Sequence, residues 1–104
     1  MDLLPIFLNI RDRKCVIVGG GSVALRKANL LSRAQARLYV VAMSIGEELE
    51  ALCRASNGTT VHETFTPAHL EDAALVIAAT DDRATNLAVS AAAKSLNIPV
   101  NVVD

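Results

Sequence analysis

Cys15-Val16-Ile17-Val18-Gly19-Gly20-Gly21-Ser22-Val23-Ala24 is the stretch from which the rest of the chain is read. An apolar, β-prone run stops at three glycines, and helical spacing begins at once. Read as G-x-G-x-x-A, Gly19 permits the tight turn from strand to helix, through backbone angles closed to residues with a Cβ. Gly21 lets a pyrophosphate approach the main chain, and Ala24 lets the helix lie close on the sheet. Phosphates held there meet free N–H groups at Ser22 and Val23 and the positive end of the helix dipole. In this strand-turn-helix context the motif reads as a dinucleotide or nucleotide site. The alternative is a tight turn with a structural purpose only.

Before this stretch, Leu3 to Ile10 is apolar and β-prone, and Pro5 near its start suits an edge strand. Arg11-Asp12-Arg13-Lys14 reads as a solvated turn. Cys15 to Val18 is continuously apolar, as a parallel strand covered on both faces requires. After the glycines, a helix is predicted over Ser22 to Arg33, with Ala24, Ala28 and Leu31 at helical spacing. A second strand over Ala36 to Val41 completes a right-handed βαβ unit. Many NAD-binding units place an Asp or Glu about 20 residues past the glycines to hold the ribose hydroxyls. Here that window reads Tyr39-Val40-Val41-Ala42-Met43-Ser44, with no acid. Ser44 is a candidate partner for the ribose and Met43 a candidate surface for the adenine. Ser44-x-x-Glu47 also reads as a capping box for the next helix.

That helix is expected over Ile45 to Ser56, with Ile45, Leu49, Leu52 and Cys53 on one stripe and Asn57-Gly58 as its stop. Thr59 to Phe65 reads as a third strand at an edge, and Thr66-Pro67 opens a short helix through Leu70. His62 and His69 read as structural or exposed rather than as ligands. Leu75 to Ala79 is a fourth apolar strand ending at Thr80-Asp81-Asp82. One of the two aspartates is expected to cap a long helix packed through Ala84, Leu87, Ala88 and Ala91. Ligands of open α/β sheets bind at the carboxyl ends of strands near the switch in strand order, which puts this loop beside the cofactor. Pro99 ends the helix, and Val100 to Val103 is a fifth strand that delivers Asp104 to the rim shared by Gly21 and Thr80. The fold class is α/β, a Rossmann-like doubly wound parallel sheet in a single domain. A further helix normally covers the last strand, so the chain is expected to be truncated after that fifth core strand.

The 104 residues are 52% apolar and 20% charged, which fits one soluble globular domain. A net charge of −1 and only 3% aromatic residues give no nucleic-acid or membrane surface. No run approaches a membrane span and no cleavable leader precedes the first strand, so a cytoplasmic location is expected. Cys15 and Cys53 have no metal-type spacing and read as buried thiols of a reducing compartment, with no metal site.

Several blocks together resemble one family in order and spacing: Leu4-Pro5-Ile6-Phe7-Leu8, Arg11-Asp12-Arg13, Val18-Gly19-Gly20-Gly21-x-Val23-Ala24-x-Arg26-Lys27-Ala28, Ala78-Ala79-Thr80-Asp81-Asp82 and Asn101-Val102-Val103-Asp104. The family is the siroheme synthase N-terminal module, a precorrin-2 dehydrogenase/sirohydrochlorin ferrochelatase, and the likeness covers all 104 residues. It implies NAD-dependent oxidation of precorrin-2 to sirohydrochlorin, then insertion of ferrous iron to give siroheme. The resemblance carries the cofactor contacts to Gly19, Gly21, Ser22, Val23, Met43 and Ser44, with Thr80 and Asp81 lining the cleft. It makes Asp104 the general base and the acceptor of pyrrole protons. The family also lacks the ribose acid after its second strand. Family members continue into a dimerisation domain and a small helical domain, often with a methyltransferase domain, so a homodimer is expected of the full-length protein. Two rivals are a nucleotide-sensing regulatory domain of a potassium-transport system, which shares the glycine turn, and an NADP-dependent reductase half-domain.

Overall fold

The computed structural model describes residues 2–103. In chain order it comprises β1 (Lys14–Val18), α1 (Ser22–Arg33), β2 (Arg37–Val41), α2 (Glu47–Ala55), β3 (Thr59–Val61), a 3-10 turn (Pro67–Leu70), β4 (Leu75–Ala78), α3 (Arg83–Ser95) and β5 (Val100–Val102). The strands form one sheet in the order β3-β2-β1-β4-β5, and every neighbouring pair is parallel. The chain winds from β1 out to the β3 edge, then crosses to β4 on the other side of β1. The order therefore switches between β1 and β4, and their carboxyl ends flank the crevice such sheets offer a ligand. This is the doubly wound class expected.

Central position explains the unbroken apolar strand. Cys15, Val16 and Ile17 are sealed from solvent, and because successive side chains point to opposite faces they supply two cores. On one face Cys15, Ile17, Leu38, Val40 and Ile77 pack with Ala24, Ala28 and Leu31 of α1 and Leu49 and Cys53 of α2. On the other, Val16, Val18, Val41, Val76 and Ala78 pack with Leu70, Val89 and Ala93. Both cysteines are free and buried, and burial pushes both thiols up.

All three helices end by one device. Gln35, Asn57 and Asn97 each take positive φ just past the last turn. The next residue then donates its N–H back to a carbonyl five positions earlier: Ala36 to Leu31 at 3.1 Å, Gly58 to Cys53 at 2.7 Å and Ile98 to Ala93 at 2.8 Å. Each bond satisfies a carbonyl the helix itself leaves open.

Four expectations are corrected. Leu3 to Ile10 contains no strand; Leu3, Leu4, Ile6 and Phe7 are exposed, and only Ile10 enters the core. β3 stops at Val61, well short of Phe65. α2 starts at Glu47 with Gly46 as its N-cap and no side-chain cap, so Ser44 and Glu47 form no capping box. The face of α3 also differs: Ala84, Leu87, Ala88 and Ala91 are exposed, while Asn86, Val89 and Ala93 are buried. In an alanine-rich helix small residues recur on every side, and here the buried stripe includes an asparagine that a hydrophobic pattern passes over.

His69 pins the connection between β3 and β4. Its Nδ1 accepts the Thr66 N–H at 2.9 Å, so Nε2 carries the proton and donates to Glu63 Oε1 at 2.8 Å. The ring lies tilted against Tyr39 and Phe65. The structural reading of His69 therefore holds. His62 stands exposed against Glu50 Oε1 at 2.7 Å. His69→Ala leaves the Thr66 N–H without its partner and opens a gap between the rings. It is expected to cost roughly 2–4 kcal/mol in urea unfolding, whereas Glu63→Gln, on the exposed side, is expected to cost under about 1 kcal/mol.

Candidate functional site

The carboxyl end of the sheet opens into a cleft of about 570 Å³ lined by Gly19, Gly20, Gly21, Ser22, Val23, Ala42, Ser44, Ala79, Thr80, Asp81 and Val103. Hydrogen bonds that continue the strand ladders hold its rim: Gly19 N–H to Val41 O at 3.0 Å, Ala79 N–H to Val18 O at 2.8 Å and Val103 N–H to Ala78 O at 2.9 Å.

The three glycines have three different reasons. Gly19 has φ +137°, and a Cβ there would run into the Ala79 carbonyl, with Ala79 C at 2.8 Å. Gly20 lies against the β2–α2 connection, where a Cβ would collide with Ser44 O and stand 2.9 Å from Ile45 Cα. The Gly46 N–H also donates to Gly20 O at 2.9 Å. A Cβ on Gly21 would meet no protein atom within 4 Å. The fold thus requires the first two glycines, and the third leaves open space in the cleft wall. The role of Gly20 was missed from sequence, although a third glycine beyond the two that the motif needs was its visible signal.

Gly21 is also the N-cap of α1, and it brings no side-chain cap; the first turn contains no acidic residue. The opening N–H groups of α1, among them those of Ser22 and Val23, therefore have no partner inside the helix and face the cleft with the positive dipole end behind them. A pyrophosphate fits this surface on both counts: room where Gly21 lacks a Cβ, and donors on a first turn that carries no carboxylate of its own.

The opposite wall is the β4–α3 loop. Asn86, buried within α3, accepts the Thr80 N–H at 3.2 Å and the Thr80 hydroxyl at 2.6 Å, and its own amide donates to Thr80 O at 3.0 Å. The Asp82 N–H donates to Thr80 Oγ1 at 3.1 Å. The Thr80 hydroxyl is thus committed within the loop, and Thr80 contributes shape to the cleft rather than a free hydroxyl. Asn86 was also missed from sequence. Its only signal was a polar residue at the spacing of an apolar stripe. Asp82, and not Asp81, caps α3 through the Thr85 N–H at 3.2 Å.

The structure brings Gly19, Gly21, Ser22, Val23, Ser44, Thr80 and Asp81 to one cleft. Met43 stands beside it, exposed and not among the lining residues. Asp104 lies outside the described residues, while its neighbour Val103 lines the cleft. Among the described residues no cluster of His, Cys, Asp and Glu is disposed to hold a metal ion, and no helix is long and apolar enough to cross a membrane.

The family described as "Putative NAD(P)-binding" matches residues 6–104. The siroheme synthase of Nitrosomonas europaea is 56% identical over 105 residues, a match that covers 100% of this chain and 22% of that protein. The siroheme synthase of Saccharophagus degradans is 48% identical over 104 residues, covering 100% of this chain and 23% of that one. The chain therefore spans about a fifth of the length of these curated relatives. Among solved structures, "SirC, precorrin-2 dehydrogenase" superposes with a TM-score of 0.85 at 23% identity, over 96% of this chain and 50% of that one, a likeness of fold.

Two predictions follow from the walls of the cleft. Gly21→Ala is expected to fold with nearly unchanged thermal stability yet lose most dinucleotide affinity in calorimetry, whereas Gly19→Ala and Gly20→Ala lower the melting temperature itself. The second concerns the cap: hydrogen bonds from the Thr85 hydroxyl and N–H hold the Asp82 carboxyl below its ordinary value. Its stabilising contribution is complete above the unfolded carboxylate value of about 3.9. It fades as the pH falls through the lower folded value. Asp82→Ala is therefore expected to melt below the parent at neutral pH, with the gap closing toward about pH 2 in a thermal-melt series.

Proposed function

The chain belongs to the siroheme synthase family as its NAD(P)-binding module, and from that premise we propose that it holds NAD⁺ for the oxidation of precorrin-2 to sirohydrochlorin. The observation that carries this reading is the glycine turn: two glycines demanded by the fold, and a third whose missing Cβ leaves room beside helix N–H groups on a turn without a carboxylate. NAD⁺ supplies the hydride acceptor when bound. Gly19, Gly21, Ser22 and Val23 hold its pyrophosphate, Ser44 and Met43 meet its adenosine end, and Thr80 and Asp81 bound its path along the rim.

Precorrin-2 gives up a hydride and a proton in this oxidation. Asp104, the residue after Val103 in sequence, is the base assigned to take the proton. In the ferrochelatase step Fe²⁺ displaces two pyrrole protons, and the same carboxylate accepts them in turn. No resident metal site is needed for this, because the iron leaves in the product. Residues 1–104 form the cofactor domain. Dimerisation and any methyltransferase activity belong to other parts of the protein, whose full-length form acts as a homodimer in the cytoplasm. Family membership replaces the potassium-transport reading, and the NADP-dependent reductase reading gives way to an NAD-dependent dehydrogenase.

The test is turnover of precorrin-2 with NAD⁺, followed as NADH absorbance in the protein as its gene encodes it. Asp104→Asn is expected to lower kcat for oxidation about 100-fold or more and to slow siroheme formation, with NAD⁺ affinity retained. Parental rates for both steps in that variant would remove Asp104 from the mechanism.

A further inference from the structure

The cofactor cleft does not end at its β5 wall. A second groove, of about 510 Å³, lies between β5 and the first turns of α3, and it shares Thr80, Asp81 and Val103 with the cleft. Val103 thus borders both spaces, and Asp104 is the next residue in sequence. The rest of the lining comes from Val102 on β5 and from Arg83, Asn86 and Leu87 on α3. Asn86 is spent on Thr80, so the groove adds two kinds of surface to the cleft, one apolar and one cationic.

The apolar part is Leu87, 60% exposed, and Val102, 42% exposed. A single exposed leucine needs no explanation, but these two come from different elements and line the same groove. The core stripe of α3 is Asn86, Val89 and Ala93, so Leu87 is not used in packing the helix on the sheet. The cationic part is Arg83. Among the described residues it is the only Lys or Arg that lines either the cleft or this groove. It is exposed, and the ion pairs formed among the described residues do not include it. Asp82 beside it is committed to Thr85 as the cap of α3. Asp81 is the one carboxylate among the lining residues, and it belongs to the lip shared with the cleft, whereas Arg83 lies outside the cleft.

We propose that this groove seats one edge of the tetrapyrrole, with Leu87 and Val102 against the macrocycle and Arg83 paired to one of its peripheral carboxylates. The assignment rests on the reading of the cleft as the NAD⁺ site of a precorrin-2 dehydrogenase. Precorrin-2 is an apolar macrocycle edged with acetate and propionate groups. Hydride transfer requires the macrocycle to lie against the nicotinamide, so its seat has to adjoin the cofactor cleft. An apolar wall takes the ring and a guanidinium takes a carboxylate, in a geometry that a planar fork of donors suits. Asp81 repels the same carboxylates, so the charged edge turns toward Arg83 and away from the shared lip. Arg83 therefore binds and orients the substrate without touching the carbons that react.

The test is steady-state oxidation of precorrin-2 with NAD⁺ by the protein as its gene encodes it, followed as NADH absorbance. Arg83→Ala is expected to raise KM for precorrin-2 roughly three- to tenfold. Most of the loss falls on KM rather than kcat, with NAD⁺ affinity and melting temperature at parental values. Arg83→Lys is expected to recover part of the loss, and Arg83→Glu to deepen it. Leu87→Asp, which sets a carboxylate against the macrocycle, is expected to raise KM as well. In the parent, kcat/KM falls as salt screens the pair, and in Arg83→Ala that slope is flatter. Parental KM and salt slope in both Arg83→Ala and Arg83→Glu, with turnover intact, would overturn the inference and leave the dehydrogenase reading standing. No NADH formed by the parent would overturn both.

Discussion

Three stretches of main chain meet at the rim of this sheet with no side chain between them. Gly19 lies on the Ala79 carbonyl and Gly20 on the carbonyl of Ser44, so the turn after β1 is wedged between the exits of β4 and β2. Backbone contact this close excludes even a methyl group, which is why the turn consists of glycine and why its neighbours are small. It also fixes where α1 begins, and hence where its open N–H groups aim. The cleft, its floor and the direction of its electrostatic field all follow from that one packing constraint.

The sheet supplies the rigidity the constraint needs. β1 is paired along its whole length to β2 and from Cys15 to Val18 to β4, and it is covered on both faces, so the strand that delivers Gly19 has little freedom to shift. The helices are trimmed to fit: each stops at a left-handed residue and returns a hydrogen bond to its last turn before the next strand begins. Short connections of this kind bring each helix straight back to the amino end of the next strand.

What could be read in the sequence was whatever depends on local chemistry. Cys15-Val16-Ile17-Val18 and Leu75-Val76-Ile77-Ala78 declare buried parallel strands, because only a strand covered on both faces tolerates an unbroken apolar run. Asn57-Gly58 declares a helix end, and the glycines declare the turn. The misreadings came where tertiary partners decide. Leu3-Leu4-Pro5-Ile6-Phe7 is apolar enough for a strand but bonds to no sheet edge in the fold. Ser44 and Glu47 have the spacing of a capping box, yet the Gly20–Gly46 bond draws Gly46 into the N-cap instead. For α3, alanines gave no preferred face, and the choice fell to Asn86, whose burial is affordable only because Thr80 meets it with three hydrogen bonds.

That last network bears on how the cleft works. A polar side chain is costly to bury unless every group is satisfied, and among the described residues no buried side-chain polar atom lacks a partner. Asn86 meets this condition by gripping both the N–H and the carbonyl of Thr80 along with its hydroxyl, so the β4–α3 loop has one stable path rather than several. The opposite wall is equally fixed by glycine contacts. Both walls therefore have their shape before any ligand arrives, and little ordering free energy is spent on binding. A rigid cleft of this kind discriminates by what it cannot rearrange: the open space beside Gly21 is set by main-chain contacts at Gly19 and Gly20, and no ligand has to create it.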